Sequence, residues 1–406
     1  MKIADLNKPL AIAMWDSSWL RRRYAGGGFE DFGQALDELV ERGYNAVRID
    51  AFPHYIANAP DGTNAERFLD VPGVSHQKFG FARWGSPWTV YSYPRRDIVD
   101  FIRKAKERGV YVALSTWLKP MWDHRNDLVE GPEELIRVWD ETLQFLAENN
   151  CLDNVVYVDV HNEIPNGACN TWLYHQMESR KNPFVPGKWN ERQKEFFRGY
   201  FRTVIRELKA RWPQLSFAAS FDNVFEAELE ETDLSDFDFF DIHIWVQRAT
   251  CNFLENTGYF EHIGGFGEPS RMYLNTDPAP YTGAQVKIPG DFYFEQVNEA
   301  ILTSWEKNKA PCFEWMEERI ETVAKAGKQY GVPIGCTEGW GSILWAEHPM
   351  LSWTVIKEAG LKAAELGAKN GYLFNCQSNF CGPQFTSLWR DIEYHKQVTD
   401  VIRKIK

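Results

Sequence analysis

Glu41-Arg42-Gly43-Tyr44-Asn45-Ala46-Val47-Arg48-Ile49-Asp50 joins the end of a helix to a buried strand through one glycine. Gly43 can take the left-handed conformation that ends a helix, and the β-prone, largely apolar run after it reads as a strand covered on both faces. The phrase recurs as Glu107-Arg108-Gly109 before Val110-Tyr111-Val112-Ala113-Leu114, and again at Gly331 and Gly371. Upstream of Gly43, Phe32, Leu36, Leu39 and Val40 fall at i, i+4, i+7 and i+8, the stripe a helix turns to a core. Alternation of helix and strand implies a parallel α/β sheet.

Eight strands can be counted: Pro9 to Met14, Ala46 to Ala51, Tyr111 to Thr116, Val155 to Val160, Ser216 to Ser220, Phe239 to Ile244, Pro333 to Thr337 and Tyr372 to Asn375. That number selects a closed (β/α)8 TIM barrel over an open doubly wound sheet, which also needs a glycine fingerprint that Gly26-Gly27-Gly28 does not supply. The expectation is one catalytic domain over residues 1–406, with an insertion around 245–309. Long connections follow strands two (Pro53 to Pro94), four (Ile164 to Asn190) and six (Trp245 to Lys309). All three rise from the face where barrel sites lie and carry aromatics: Phe79, Trp84 and Trp88; Trp172 and Trp189; Phe253, Tyr259 and Phe260.

A net charge of -12 argues against nucleic acid or an anionic membrane as partner, because phosphate binding needs Lys and Arg to displace counterions. Met1-Lys2-Ile3-Ala4-Asp5-Leu6-Asn7-Lys8 lacks the apolar stretch of a secretory signal, so the chain is expected in the cytoplasm. Seven scattered cysteines without paired spacing fit reduced thiols better than a disulfide framework or zinc site. His54, His124, His161 and His175 show no metal-ligand pattern, and no nucleotide loop or serine elbow is present. No metal or cofactor is therefore expected. The 17 Trp, 16 Tyr and 27 Phe exceed what a core alone asks for, and the surplus suits the apolar faces of sugars.

Polar residues gather where the strands end: Asp16, Arg48 and Asp50, Trp117, Asn162 and Glu163, Asp222 and Asn223, His243 and Trp245, Glu338, Asn375 and Gln377. Asn162-Glu163 closes the run Val155-Val156-Tyr157-Val158-Asp159-Val160-His161, and Thr337-Glu338-Gly339-Trp340 closes Val332-Pro333-Ile334-Gly335-Cys336. Two carboxylates at two strand ends point to glycosidic bond cleavage, in which one carboxyl protonates the leaving oxygen and a second attacks the oxocarbenium-like carbon.

Asn-Glu after strand four, Asp-x-His-x-aromatic through strand six, Glu after strand seven and Gly43-Tyr44-Asn45-Ala46-Val47-Arg48-Ile49 together resemble glycoside hydrolase clan A, in particular the family 5 cellulase-like enzymes. The resemblance implies that Glu163 is the general acid/base and Glu338 the nucleophile of a retaining β-glycosidase needing no cofactor. It implies that Asn162 meets the sugar 2-hydroxyl, and that His243 and Arg48 orient Glu338 and keep it ionised. Glu163 is then expected to hold its proton near neutral pH while Glu338 stays anionic. Three positions depart from the family pattern: Trp245 stands where a tyrosine is usual, strand eight has no stacking tryptophan, and Trp117 replaces a histidine after strand three. Trp340, Trp15 and Trp117 are candidate replacement platforms. The expected substrate is a short oligosaccharide or glycoside attacked from its end. The rival is a catalytically silent sugar-binding protein on the same barrel.

Overall fold

The computed structural model describes residues 2–70, 84–86, 89–118, 123–163, 171–176, 189–222, 233–246, 253–259, 291–342, 345 and 351–404. Its centre is a parallel sheet of β1 (Leu10–Asp16), β2 (Ala46–Asp50), β3 (Tyr111–Ser115), β4 (Val155–Asp159), β5, β6 (Phe240–His243), β7 (Ile334–Cys336) and β8 (Phe374–Asn375). β5 comes in two pieces, Phe217–Ala218 and Phe221–Asp222. The first pairs with β4 (Val158 opposite Phe217), the second with β6 (Phe221 opposite Ile242). β1 pairs with both β2 and β8, so the sheet runs from one half of β5 around to the other and closes as the expected barrel.

Strand composition follows from closure. β1, β2 and β4 are buried at every residue, because the lumen covers one face and the helices the other. Helices α1 (Phe32–Glu41), α2 (Pro94–Glu107), α3 (Gly131–Glu148), α4 (Glu191–Arg211), α5 (Asp291–Tyr330), α6 (Thr354–Lys369) and α7 (Ile392–Arg403) accompany the strands. The glycines behave as read: Gly43, Gly109, Gly331 and Gly371 have φ of 85°, 67°, 69° and 75°. At Gly43 a side chain would also lie 2.3 Å from Thr399 Oγ1. Asp31 caps α1 by accepting from the backbone N–H groups of Gly33 and Gln34.

Several expectations need correction. In α1, Phe32, Leu36 and Leu39 are buried, but Val40, at the edge of the stripe they form, is 43% exposed. The third long connection ends earlier than Lys309, because α5 is already helical from Asp291. The first carries a helical turn, Pro53–Ile56, and an antiparallel pair, Phe68–Asp70 with Val90–Ser92. The second carries Thr171–Gln176 as helix. Phe79, Trp88, Phe260 and Asn223 lie outside the described residues. Trp84, Trp189, Phe253 and Tyr259 are buried, Trp84 against Phe380 and Phe385 and Phe253 against Trp305, so these rings pack rather than stand open. Cys151, Cys336, Cys376 and Cys381 are free thiols, but Cys312 is disulfide-bonded, so the reading of reduced thiols throughout does not hold. No helix among the described residues is long and apolar enough to cross a membrane.

Candidate active site

At the C-terminal end of the strands the predicted polar residues meet. Arg48, the third residue of β2, points along the lumen and is 1% exposed. Its guanidinium donates to Glu338 Oε2 at 2.5 Å and to Asn162 Oδ1. Burial alone would weaken the charge on Arg48, but Glu338, Asp16, Asp241 and Asp159 around it raise its pKa instead. One residue of β2 thus joins the ends of β4 and β7.

Glu163 follows β4 with φ of 50°, a left-handed backbone that a non-glycine residue adopts at a cost of roughly 1–3 kcal/mol. Its carboxylate Oε1 faces His243 Nδ1 at 3.0 Å and accepts from Trp245 Nε1 at 3.2 Å. His243 also lies 3.7 Å from Glu338 Oε2. Atoms of Glu163, His243 and Glu338 all fall within 4.8 Å of one another, which brings an oxygen of each carboxylate to near the roughly 5 Å separation of retaining glycosidases. His243 thus stands between the two carboxylates, hydrogen-bonded to Glu163 and within ion-pair range of Glu338, whose ionised form it favours together with Arg48. Trp245 sits where it can only donate, and it too serves Glu163.

Burial would lower the His243 imidazole, but hydrogen bonds to Asp241 and Glu163 and the Glu338 charge hold it well above its ordinary range. Its Nδ1 faces Glu163 Oε1, and its Nε2 lies 3.5 Å from Thr337 Oγ1 and 3.7 Å from Asp241 Oδ1. Glu338 is pushed up to about 7 by burial and by the neighbouring Glu163, against the pull of Arg48 and His243. Against the expected anionic Glu338 stand burial and Glu163; for it stand Arg48 and His243. The Glu163, His243 and Glu338 spacing would also suit a metal ion, although Arg48 is already paired with Glu338.

Asn162 is fully buried, with Oδ1 taken by Arg48 and by Ser220 Oγ at 3.0 Å, while its Nδ2 finds no acceptor among the described residues. Asp16 ends β1 with φ of 45° and is buried close enough to act on both Arg48 and Glu338. Trp117 is half-buried, its backbone N–H donating to Asp50 Oδ2 at 3.3 Å. Trp340 and Asn375 are spent on one another: the indole N–H donates to Asn375 Oδ1 at 3.0 Å and to the Cys376 carbonyl at 3.1 Å. Trp15 is fully buried against Phe29 and Phe101, a core residue rather than a platform. Gln377 turns away, accepting from Tyr394 Oη at 2.9 Å.

Beneath these groups lie two aspartates, Asp159 and Asp241, to which the sequence alone assigned no role. Asp159 on β4 accepts from Ser220 N and Ser220 Oγ, both at 2.9 Å, and from Ser115 Oγ at 2.7 Å. Asp241 on β6 accepts from Thr337 N at 2.9 Å and Thr337 Oγ1 at 2.6 Å. Each is a fully buried carboxylate that grips the backbone and hydroxyl of one residue on the next strand. An aspartate inside an otherwise apolar strand run was the available signal, since a buried charge must be paired.

The site's residues fall within residues 12–403, which match the family model described as cellulase-like, sugar-binding. The chain belongs to that family. Among solved structures, a candidate glycoside hydrolase from Parabacteroides distasonis shares 27% identity, covers 98% of this chain and 94% of its own, and superposes with a TM-score of 0.76. A glycoside hydrolase family 5 enzyme of Prevotella bryantii, solved as a mutant with a xyloglucan tetradecasaccharide, covers 98% of both chains at 10% identity and a TM-score of 0.55, a likeness of fold. No curated protein sequence matches the chain. Both neighbours accord with the (β/α)8 reading, and the family is cellulase-like as the sequence resemblance implied.

Proposed function

We propose that this cellulase-like protein is a retaining β-glycosidase acting on short oligosaccharides or glycosides. The observation that carries the reading is the pair of buried carboxylates, Glu163 and Glu338, with oxygens within 4.8 Å and different partners. In the first step Glu338 attacks the anomeric carbon while the bond to the leaving oxygen breaks. That oxygen takes its electron pair and a proton from Glu163, and a glycosyl ester to Glu338 forms. In the second, Glu163 removes a proton from water, the resulting hydroxide displaces Glu338, and the sugar leaves with its configuration retained. His243, 3.0 Å from Glu163 and favoured in its charged form by Asp241 and the two glutamates, steadies the carboxylate that forms when the proton departs. The unpartnered Nδ2 of Asn162 is a donor for the 2-hydroxyl.

Near-complete burial of both carboxylates, at 3% and 5% exposure, favours a closed pocket and attack at a chain end. The Cys312 disulfide favours an oxidising compartment over the cytoplasm. A second reading, a sugar binder that does not cleave, is favoured by the family's sugar-binding description and by Trp245 in the tyrosine's place.

The test is hydrolysis of a panel of 4-nitrophenyl β-glycosides by the wild type and Glu338→Ala, with the anomer of the first product followed by NMR. Retained configuration, lost in the variant, upholds the glycosidase. A 2-deoxy-2-fluoro glycoside should label Glu338. Sugar binding by calorimetry without turnover or labelling establishes the binder instead.

A further inference from the structure

The gap in β5 is not idle. Ala219 and Ser220 separate the half of the strand that pairs with β4 from the half that pairs with β6, and the break frees Ser220 from ladder pairing. Its backbone N–H turns to Asp159 Oδ1 at 2.9 Å instead, and its hydroxyl lies 2.9 Å from Asp159 Oδ2 and 3.0 Å from Asn162 Oδ1. The same oxygen accepts the backbone N–H of Glu163 at 3.0 Å. One hydroxyl, itself fully buried, therefore touches both residues of the Asn162-Glu163 pair.

We propose that Ser220, seated by Asp159 in the gap of the fifth strand, is a positioning residue that holds Glu163 in its left-handed turn and aims its carboxyl at the leaving oxygen. The inference rests on the glycosidase reading. Glu163 has φ of 50°, and its N–H is bonded to Ser220 on the neighbouring strand. Removing the hydroxyl orphans that N–H and one partner of Asn162, and lets the peptide leave a conformation that L residues avoid. Glu163 then keeps its chemistry but loses its aim, and proton delivery depends on position to within a fraction of an ångström.

This role has a chemical signature that a general packing defect lacks. A leaving group that departs without a proton does not need Glu163 in the first step, whereas a basic one does. The experiment measures kcat/KM, which reports that step, for wild type, Ser220→Ala and Ser220→Thr on two glycosides of whichever sugar the wild type cleaves: a 2,4-dinitrophenyl glycoside and an alkyl glycoside. For Ser220→Ala the expected loss is roughly 100-fold on the alkyl glycoside and under about threefold on the dinitrophenyl one, with the hydroxyl of Ser220→Thr restoring most of the difference. Equal losses on the two substrates, or none on either, overturn the proposal. Should Ser220→Ala not fold, Ser220→Cys, of similar volume and weaker hydrogen bonding, is expected to show the same inequality and is read the same way. A wild type that cleaves neither substrate overturns the glycosidase reading itself, an outcome separate from the first two.

Discussion

Arg48 and Glu338, 290 residues apart in the chain, meet in a buried ion pair of 2.5 Å. Removing one partner of such a pair leaves a charge with neither water nor counterion. Arg48→Met should therefore destabilise the fold by about 3–5 kcal/mol, read by urea denaturation. An unchanged midpoint would mean that Asp16, Asp159 and Asp241 carry the electrostatics without Arg48.

The ionisation of Glu338 sets a pH window. With its pKa pushed up to about 7, Glu338 is protonated below neutrality and cannot attack, so kcat/KM should rise as pH increases through about 7. Without the Arg48 cation the anion is less favoured still, and in any active Arg48→Lys variant with a displaced charge that limb should move to higher pH. An acid limb near 4.5, the ordinary value for glutamate, would contradict the burial argument.

Trp245 offers a narrower test. Trp245→Phe removes one N–H from Glu163 Oε1 and leaves His243 in place. The carboxylate form loses a donor and is less populated at a given pH, so deglycosylation, which needs that form as its base, should slow by roughly tenfold, about 1.4 kcal/mol, with little change in the first step on activated aryl glycosides. Pre-steady-state bursts would separate the two.

His54 predicts the acid behaviour of the fold. Burial, with Arg125 nearby, lowers it from 6.5 to about 3, so it is neutral in the folded state and both ring nitrogens lack partners among the described residues. The unfolded chain takes up a proton below pH 6.5 that the native state refuses until about pH 3, so stability is complete above 6.5 and falls as pH drops through that interval. His54→Leu should recover about 3 kcal/mol at pH 4 relative to pH 7, visible as a flatter Tm against pH. A curve parallel to wild type would sink the assignment.

Gly43→Ala should cost more than the loss of a left-handed glycine alone. The added methyl would stand 2.3 Å from Thr399 Oγ1, whose own bond to the Arg42 carbonyl helps seat α7 against the end of α1. A loss of at least about 1–2 kcal/mol is expected, and Thr399→Ala in the same chain should return part of it.

The barrel was legible because its signals are local. A glycine with φ near 80° after a helix, followed by an apolar run, needs no distant partner to be recognised, and Arg48, Asn162, Glu163, His243 and Glu338 stand out as polar residues where such runs stop. Which of two carboxylates His243 faces is not local: the difference between 3.0 and 3.7 Å is set by Trp245 and Asp241 together with strand ends from elsewhere in the chain. The division of β5 was hidden for a similar reason. Ser216 to Ser220 read as one strand, and only the neighbours on either side show that the ladder changes partner there and resumes at Phe221. The contact between Trp340 Nε1 and Asn375 Oδ1 was equally hidden, since it joins two strand ends 35 residues apart.

The two halves of β5 give the sheet no free edge, and the seam lies where Ser220 reaches Asn162 and Glu163. A partly folded chain with its seam open could already hold Arg48 against Glu338 through the paired strands β2, β1, β8 and β7, yet Glu163 would lack the Ser220 contact that keeps it aimed. Turnover is then an inspection stamp on the finished ring: in refolding it should return with the closure of the seam, later than the recovery of helical signal.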